Sequence, residues 1–323
     1  MSTVPAPLLL ALSVLAARAS APPPPPVVNG VATDAHPAVG VLIGVDPSTG
    51  RGGPFCSGTV IGRTWAVTAA HCVDAALEYV EDFGIEVYFA VGTDVFAEGG
   101  LVASTAVTAM EMHPDYTGRD IVADVGLVAL EEPLPVDPVA LSDQGAWPGW
   151  DGATVSVVGW GITADGAEDA GVKRTADLAV FSWDDDFLYL SDTESNLCSG
   201  DSGGAALMPD SGGTLRLAGV NSFVFALDGG GPCVGGGSGV ARVDTYLPWI
   251  TEVTGVAADY LGSGGPEDPS LALSGDGGGE GAAGMADESG KSNCAAAPRA
   301  PVAVLAGVAA GLVVARRRRG AAC

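Results

Sequence analysis

The sequence has few residues that carry positive charge or that titrate near neutral pH. It contains three histidines, and only 14 lysines and arginines against 39 aspartates and glutamates, for a formal net charge of −25. Because nucleic-acid binding needs a basic surface, we expect no nucleic-acid partner. The acidity predicts a solvated, self-repelling surface. Calcium binding by the acidic run 184–186 is the alternative, but the spaced ligands of an EF-hand are missing, so we predict no metal and no cofactor.

Long helical patterns are also scarce. Apolar residues make up 47% of the 323 residues, and the 48 glycines suit turns better than helices. Between about residues 27 and 259, short apolar or alternating runs are broken by turn-forming residues, which predicts an all-β fold. Examples of the predicted strands are 39–45, 59–69, 85–91, 101–110, 125–130, 154–158, 173–181, 215–220 and 238–243. A single helix is predicted at Thr245–Val253, where apolar residues recur at helical spacing.

The beginning of the chain differs from this middle part. An apolar run at Leu8–Ala17 precedes the A-x-A site Ala17–Ala19, so residues 1–19 are predicted to be a secretory signal. No lysine or arginine precedes the run, and a buried first element is the alternative. The five prolines at 22–26 argue against that alternative, and we interpret residues 20–26 as a propeptide.

The end of the chain differs as well. Residues 260–293 are rich in glycine, serine and acidic residues, which is typical of a flexible linker. Cys294, an apolar run at Ala300–Ala315 and the arginines at 316–319 follow. Sixteen helical residues span only about 24 Å of a hydrocarbon core about 30 Å thick, so the segment predicts a thin-membrane anchor or a transient sorting signal.

The order of cysteine, apolar run and arginine cluster within 294–323 resembles the tripartite C-terminal sorting signals of bacterial surface proteins, in particular the myxobacterial type. The resemblance implies processing at or near Cys294. A plain single-span anchor remains the alternative, because the apolar pattern alone does not separate the two.

The stretch NLCSGDSGG, from Asn196 to Gly204, places Ser202 between small residues where a nucleophile would be accessible. A serine needs a neighbouring base to act. His36 and His113 both precede prolines and are predicted to be loop or strand-end residues. His71 instead follows the strand-like run 65–70 and is followed by Cys72, which makes it the candidate base.

Asp124 is the only charged residue in the apolar segment 121–130. Burying a lone carboxylate would cost several kcal/mol, so we expect it to have an obligatory partner. That partner is either a histidine that the carboxylate orients or a set of backbone amides, and the segment alone leaves both open.

Three motifs together, TAAHC (68–72), DVGLVAL (124–130) and CSGDSGG (198–204), resemble the trypsin and chymotrypsin-like serine proteases. Four further motifs support this resemblance, at 27–30 (VVNG), 159–161 (GWG), 220–223 (VNSF) and 246–250 (YLPWI). The resemblance covers a domain at 27–259 and implies two packed six-stranded antiparallel β-barrels with a C-terminal helix. The pattern G-x-S-x-G would also fit an α/β-hydrolase, but no histidine follows Ser202 in the chain.

The resemblance implies a role for each residue of the motifs. Ser202 would attack the scissile carbonyl, His71 would transfer the proton and Asp124 would orient the imidazole. The N–H groups of Gly200 and Ser202 would form the oxyanion hole. The implied disulfides are Cys56–Cys72 and Cys198–Cys233.

Substrate specificity depends on three further positions. Asn196 stands where trypsin-type enzymes have an aspartate, which argues against lysine or arginine at P1. Val224, two residues after Ser222, stands where many members have glycine and would narrow the pocket. Small or medium uncharged P1 residues are therefore expected.

Activation departs from the family pattern. In that family, a cut after lysine or arginine frees an N-terminal amine. This amine pairs with the aspartate before the nucleophile, which is Asp201 in this sequence. Val27, at the expected new terminus, is preceded by Pro26, which blocks most proteases. Either an unusual protease frees Val27, or the oxyanion hole forms in another way, or the domain stays a zymogen.

These observations predict a secreted or surface-anchored serine endopeptidase with a monomeric protease domain. It would be exported across the bacterial inner membrane and act on proteins or peptides. Its contact with the membrane would be through the C-terminal segment. The alternative function is a zymogen-like or inactive protease fold used for surface binding or adhesion.

Overall fold

A computed structural model describes residues 27–257, apart from 119–120, 146–147, 193 and 228. The segments predicted as signal, propeptide, linker and sorting signal lie outside the described residues. Within the described part, no helix has the length and apolar character needed to cross a membrane.

The first half of the described chain is a closed antiparallel barrel preceded by a two-residue strand. The strands are β1 (Val31–Ala32), β2 (Val39–Asp46), β3 (Arg51–Gly62), β4 (Trp65–Thr68), β5 (Glu86–Gly92), β6 (Leu101–Met112) and β7 (Gly126–Leu130). The barrel order is β2-β3-β4-β7-β6-β5, while β1 pairs with the second half of the chain. Apolar residues such as Leu42, Phe89 and Leu127 fill the interior.

The second half forms another antiparallel barrel. Its strands are β8 (Thr154–Gly159), β9 (Arg174–Trp183), β10 (Phe187–Ser191), β11 (Ala205–Pro209), β12 (Leu215–Ala226) and β13 (Gly236–Arg242). They follow the order β9-β10-β13-β12-β11-β8, and pairing of β8 with β9 closes the ring. The predicted fold of two six-stranded barrels with a C-terminal helix is confirmed.

Among the described residues, two α-helices accompany the barrels, α1 (Ala70–Phe83) and α2 (Val243–Thr254), together with a 3-10 turn at Pro148–Trp150. Helix α2 corresponds to the predicted helix, but the prediction of a single helix was wrong. Helix α1 buries Val73 and Ala76 on one face and ends at Gly84, whose left-handed backbone (φ 64°) caps it. His71 therefore lies in the first turn of a helix rather than at the end of a strand.

The strand predictions also differ from the structure in places. The predicted strand 59–69 is divided by a turn into parts of β3 and β4. Strands β1, β10 and β11 have no counterpart among the predicted examples. Strand β12 continues six residues beyond its predicted end at Val220. This continuation borders the functional site.

Candidate active site

Ser202 lies in a tight turn between Cys198 and β11. Gly200 and Gly203 have φ values of 94° and 83°, a region that favours glycine. A Cβ at Gly203 would also overlap Thr68 Oγ1 and the carbonyl oxygen of Ser57. Glycine is therefore favoured at both positions by the backbone, and at Gly203 also by the close approach of the N-terminal barrel.

Ser57, on β3, attaches this turn to the N-terminal barrel. Its N–H donates to the carbonyl oxygen of Ser202 at 2.8 Å, and its hydroxyl donates to the carbonyl oxygen of Gly200 at 2.8 Å. The same hydroxyl accepts the N–H of Trp160 at 3.0 Å. Sequence reasoning missed Ser57, for which the only available signal was its position after Cys56.

His71 and Asp124 are joined by two hydrogen bonds. The ring Nδ1 of His71 lies 2.8 Å from Asp124 Oδ2, and the backbone N–H of His71 donates to Asp124 Oδ1 at 2.9 Å. Asp124 is fully buried, whereas the His71 side chain is 36% exposed. The partner expected for the lone carboxylate is therefore a histidine, which it approaches through both the ring and the backbone.

Ser222, at the start of the continuation of β12, donates a hydrogen bond to Asp124 Oδ2. Burial raises the pKa of the Asp124 carboxyl, but the hydrogen bonds from His71 and Ser222 outweigh that effect, and the pKa lies below its usual value. Asp124 is thus held as a carboxylate. Ser222 was predicted only as a substrate-binding residue, so this contact adds a second connection to the site.

The chain reaches Asp124 through an unusual backbone. Ile121 and Ala123 have φ values of 49° and 52°, although neither is glycine. Each such residue costs about 1–3 kcal/mol, and such strain is concentrated at functional sites. Packing on both sides of Asp124 compensates for it, since Ala123 and Val125 are buried in the core of the N-terminal barrel.

Both implied disulfides are present, Cys56–Cys72 and Cys198–Cys233. The first joins the residue before Ser57 to the residue after His71. The second joins the turn of Ser202 to the segment before β13. Each disulfide therefore fixes a loop beside a candidate catalytic residue.

A cavity of about 100 Å³ opens beside Ser202, and its walls include Cys198, Ser222, Phe223 and Val224. Strand β11 pairs with β12 only as far as Val220, which leaves one edge of β12 unpaired by β11 next to this cavity. Both predicted wall residues, Ser222 and Val224, line the cavity.

Asn196 is not among the lining residues of this cavity. It is buried; its Nδ2 donates to the carbonyl oxygen of Pro232 at 3.0 Å, and its Oδ1 accepts the hydroxyl of Ser238. Ser238 is the cross-strand partner of Val224. Asn196 is thus connected to the cavity wall through Ser238.

Asp201, directly before Ser202, is completely buried. Its Oδ1 accepts the N–H of Gly161 at 2.8 Å, and its Oδ2 accepts the N–H of Cys198 at 2.8 Å. Burial raises the pKa of Asp201 to about 7, against the lowering effect of these two bonds. Sequence reasoning singled out Asp201 but missed Gly161 as its partner.

Val27, the predicted activation residue, is buried in the core of the C-terminal barrel with Leu197 and Val157. The next residue, Val28, donates its N–H to the carbonyl oxygen of Asn196 at 2.8 Å. The segment of the predicted new terminus is therefore packed beside the loop that leads to Ser202.

The other two histidines occupy loops, as predicted. His36 precedes the turn before β2, and His113 directly follows β6. The ring of His113 packs edge-on against Tyr246 and Trp249, with ring centroids 4.9 and 5.0 Å apart. Burial lowers the pKa of both histidines.

Potential metal ligands are engaged in other contacts. Asp184 accepts N–H groups from Asp186 and Phe187 and the hydroxyl of Tyr189. The other groupings in the described part of the chain, Cys56–His71–Cys72 and Asp165–Cys198–Cys233, consist largely of disulfide sulfurs, which are not thiolate ligands.

Comparison with known proteins gives a consistent result. The family model described as Trypsin matches residues 28–250. Brachyurin of Leptuca pugilator is 28% identical over 209 residues, which is 62% of this chain and 88% of that protein. Serine protease 1 of Drosophila melanogaster is 29% identical over 247 residues, 71% of this chain and 88% of that protein. Trypsin 5G1 of Aedes aegypti is 30% identical over 217 residues, 62% of this chain and 76% of that protein.

Proposed function

The chain belongs to the trypsin family of serine proteases, and we propose that it is a secreted or surface-anchored serine endopeptidase with Ser202, His71 and Asp124 as its catalytic residues. The observation that carries this proposal is the pair of hydrogen bonds from His71 to Asp124. These bonds favour the tautomer with the proton on Nδ1, which leaves Nε2 free to accept a proton.

In the proposed reaction, His71 Nε2 takes the proton of the Ser202 hydroxyl as Oγ attacks the scissile carbonyl. Asp124 then stabilises the imidazolium that forms. The same histidine returns the proton to the leaving amine, and water completes the cycle by hydrolysing the acyl-enzyme.

The negative charge on the carbonyl oxygen would be stabilised by the N–H groups of Gly200 and Ser202. Each donor of this kind contributes roughly 10²–10³-fold to kcat. The positive φ of Gly200 and the hydrogen bonds from Ser57 support this role, because they fix the backbone on either side of Ser202.

Substrate would bind as an extended strand along the edge of β12 that β11 leaves unpaired. The P1 side chain would enter the cavity beside Ser202. Val224 in the wall narrows this cavity, which favours small or medium uncharged side chains. Neither Asn196 nor Ser238 supplies a negative charge for lysine or arginine.

The two disulfides support export, because such bonds persist in oxidising compartments. We divide the chain into signal peptide 1–19, propeptide 20–26, protease domain 27–259, linker 260–293 and sorting or membrane segment 294–323, with processing at or near Cys294. The protease domain would act as a monomer on protein or peptide substrates.

Labelling with a fluorophosphonate probe tests the proposal, because the probe reacts only with an activated serine. We expect the processed wild-type protein to be labelled, the Ser202→Ala variant to be unlabelled and the exposed Ser211→Ala variant to be labelled as the wild type is. An unlabelled wild type with correct termini would reject the endopeptidase and leave a binding or adhesion module as the function.

A further inference from the structure

The carboxylate of Asp201 lies against Gly159, the last residue of β8. A Cβ at Gly159 would overlap Asp201 Oδ1, so the absence of a side chain there leaves room for the carboxylate. In the antiparallel pair of β8 and β9, Gly159 is directly opposite Arg174. Residues directly opposite each other place their side chains on the same face of a sheet. The side chain of Arg174 therefore leaves the backbone on the face where Asp201 lies.

That face is the interior of the C-terminal barrel. Alternate residues of β9 point the same way, and two further along this row, Leu178 and Val180, are buried in the barrel core. Arg174 thus occupies an interior-facing position at the end of an apolar row. Arg174 is partly buried, so a nearby counter-charge offsets part of the cost of removing its charge from water.

The hydrogen bonds of Arg174 involve only part of its guanidinium group. One terminal N–H donates to the carbonyl oxygen of Val172 at 3.2 Å, while Nε is buried and has no hydrogen-bond partner within the described residues. Three carboxylates act on it electrostatically, Asp169, Asp201 and Asp94. Asp169 is already bonded to the hydroxyl of Thr163 at 2.7 Å.

We propose that Arg174 is a positioning residue, whose charge favours the ionised form of Asp201 and so helps to maintain the oxyanion-binding conformation of the Gly200–Ser202 turn without a free amine at Val27. This inference rests on the proposed protease function. It answers how the site forms in a chain where Pro26 precedes Val27.

The contacts of Asp201 explain how charge at this carboxylate reaches the turn. Its two oxygens hold Gly161 on one side and Cys198 on the other. Both bonds are charge-assisted only while Asp201 is ionised, and charge-assisted bonds are about twice as strong as neutral ones. Within the described part of the chain, Arg174 is the charged side chain that acts on Asp201. Asp94 and Asp169 also interact electrostatically with Arg174, so they weaken its effect on Asp201.

The test uses the full protein in two forms, one that retains residues 20–26 and one that begins at Val27. In each form, kcat/KM is measured from pH 5 to pH 9 for the wild type, Arg174→Gln, Arg174→Lys and the exposed control Arg63→Gln. We expect Arg174→Gln in the longer form to lose roughly fivefold near pH 7, mainly in kcat, with its acid limb moved to higher pH by about one unit. Arg174→Lys and Arg63→Gln should behave like the wild type.

The form that begins at Val27 should be less sensitive to Arg174→Gln, because its amine supplies a second positive charge. A longer form that is inactive while the Val27 form is active would overturn the proposal. So would an unchanged pH profile of Arg174→Gln in the longer form.

A second measurement does not depend on activity. Carbon NMR of labelled aspartate, assigned with Asp201→Asn, gives the pKa of Asp201 in the Ser202→Ala background. We expect Arg174→Gln to raise this pKa by about one unit, and an equal pKa in both proteins would contradict the proposal. If the wild type hydrolyses no peptide, the protease function fails while this titration still decides the role of Arg174.

Discussion

Asp124 binds His71 twice, with Oδ2 at 2.8 Å from the ring Nδ1 and Oδ1 at 2.9 Å from the backbone nitrogen. The ring is therefore fixed relative to the first turn of α1 as well as to the carboxylate. Few side chains could replace this arrangement, since both contacts require an oxygen acceptor. The consequences for activity, stability and specificity are testable.

Asp124→Asn keeps the shape of the side chain but replaces one acceptor oxygen with a donor. The ring of His71 would then be held in the wrong tautomer, and we expect kcat to fall about 10⁴-fold with little change in KM. Single-turnover and steady-state hydrolysis of a peptide library measure this. Asp115→Asn, at an exposed position, serves as the control; a loss below tenfold in Asp124→Asn would contradict the proposed role of the carboxylate.

Ser222→Ala removes a hydrogen bond to Asp124 Oδ2. Because the folded-state pKa of Asp124 is lowered, its bonds stabilise the fold above the unfolded pKa of 3.8, and the benefit is lost as pH falls below it. We expect Ser222→Ala to lower the free energy of unfolding by about 1.5–3 kcal/mol at pH 7 and by less at pH 3. Urea unfolding at both pH values is the measurement, and Ser222→Thr, which keeps a hydroxyl, should lose less.

Much of the site was predictable because its residues stand out in their own segments. Asp124 is a lone charge in an apolar run, so it needed a partner, and Ser202 stands among glycines that its turn requires. Ser57 and Arg174 carry no such local signal, and Gly161 was visible only as part of the GWG motif, with no indication of its partner. Their contacts join parts of the chain that only the packed barrels bring together, 103 residues apart for Ser57 and Trp160.

The secondary-structure predictions likewise succeeded where the local sequence was sufficient and failed where packing decides the structure. Strand β7 is a continuous apolar run that only a buried strand explains, so its prediction was nearly correct. Helix α1 begins in the small residues after β4, which fit a strand equally well. Only the packing of Val73 and Ala76 against the barrel decides between the two.

Gly203→Ala should separate backbone strain from steric overlap. Gly203 and Gly84 both have positive φ, at 83° and 64°, but a Cβ at Gly84 meets no atom within 4 Å. We expect Gly84→Ala to cost about 1 kcal/mol of stability. Gly203→Ala should cost at least about 3 kcal/mol and abolish activity, because its Cβ overlaps Thr68 and the Ser57 carbonyl oxygen. Equal melting temperatures for the two variants would show that the turn can relax.

Val224→Gly tests the proposed P1 pocket. Removing the isopropyl group enlarges the cavity beside Ser202, so we expect the ratio of kcat/KM for phenylalanine over alanine at P1 to rise roughly 10–200-fold. Cleavage of matched peptides that differ only at P1 measures the ratio. Val224→Thr, of similar size, should leave it unchanged, and a ratio unaffected by Val224→Gly would mean that P1 binds elsewhere.

Asp201→Asn tests how the buried carboxylate changes stability with pH. Burial raises the pKa of Asp201 from 3.8 to about 7, so between these pH values the folded protein keeps a proton that the unfolded chain has lost. Stability from this group is therefore present below pH 3.8 and is lost as pH rises through 7, at up to about 1.4 kcal/mol per pH unit.

The asparagine variant lacks this dependence, so the difference in unfolding free energy between wild type and variant should shrink steadily from pH 4 to pH 7. Taking the difference cancels the contributions of the three histidines, which are common to both proteins. Activity should change in the opposite direction, rising as Asp201 ionises, because the ionised carboxylate holds Gly161 and Cys198 more firmly. A constant difference in stability across this range would show that Asp201 is ionised throughout, and that its burial is compensated more fully than these contacts imply.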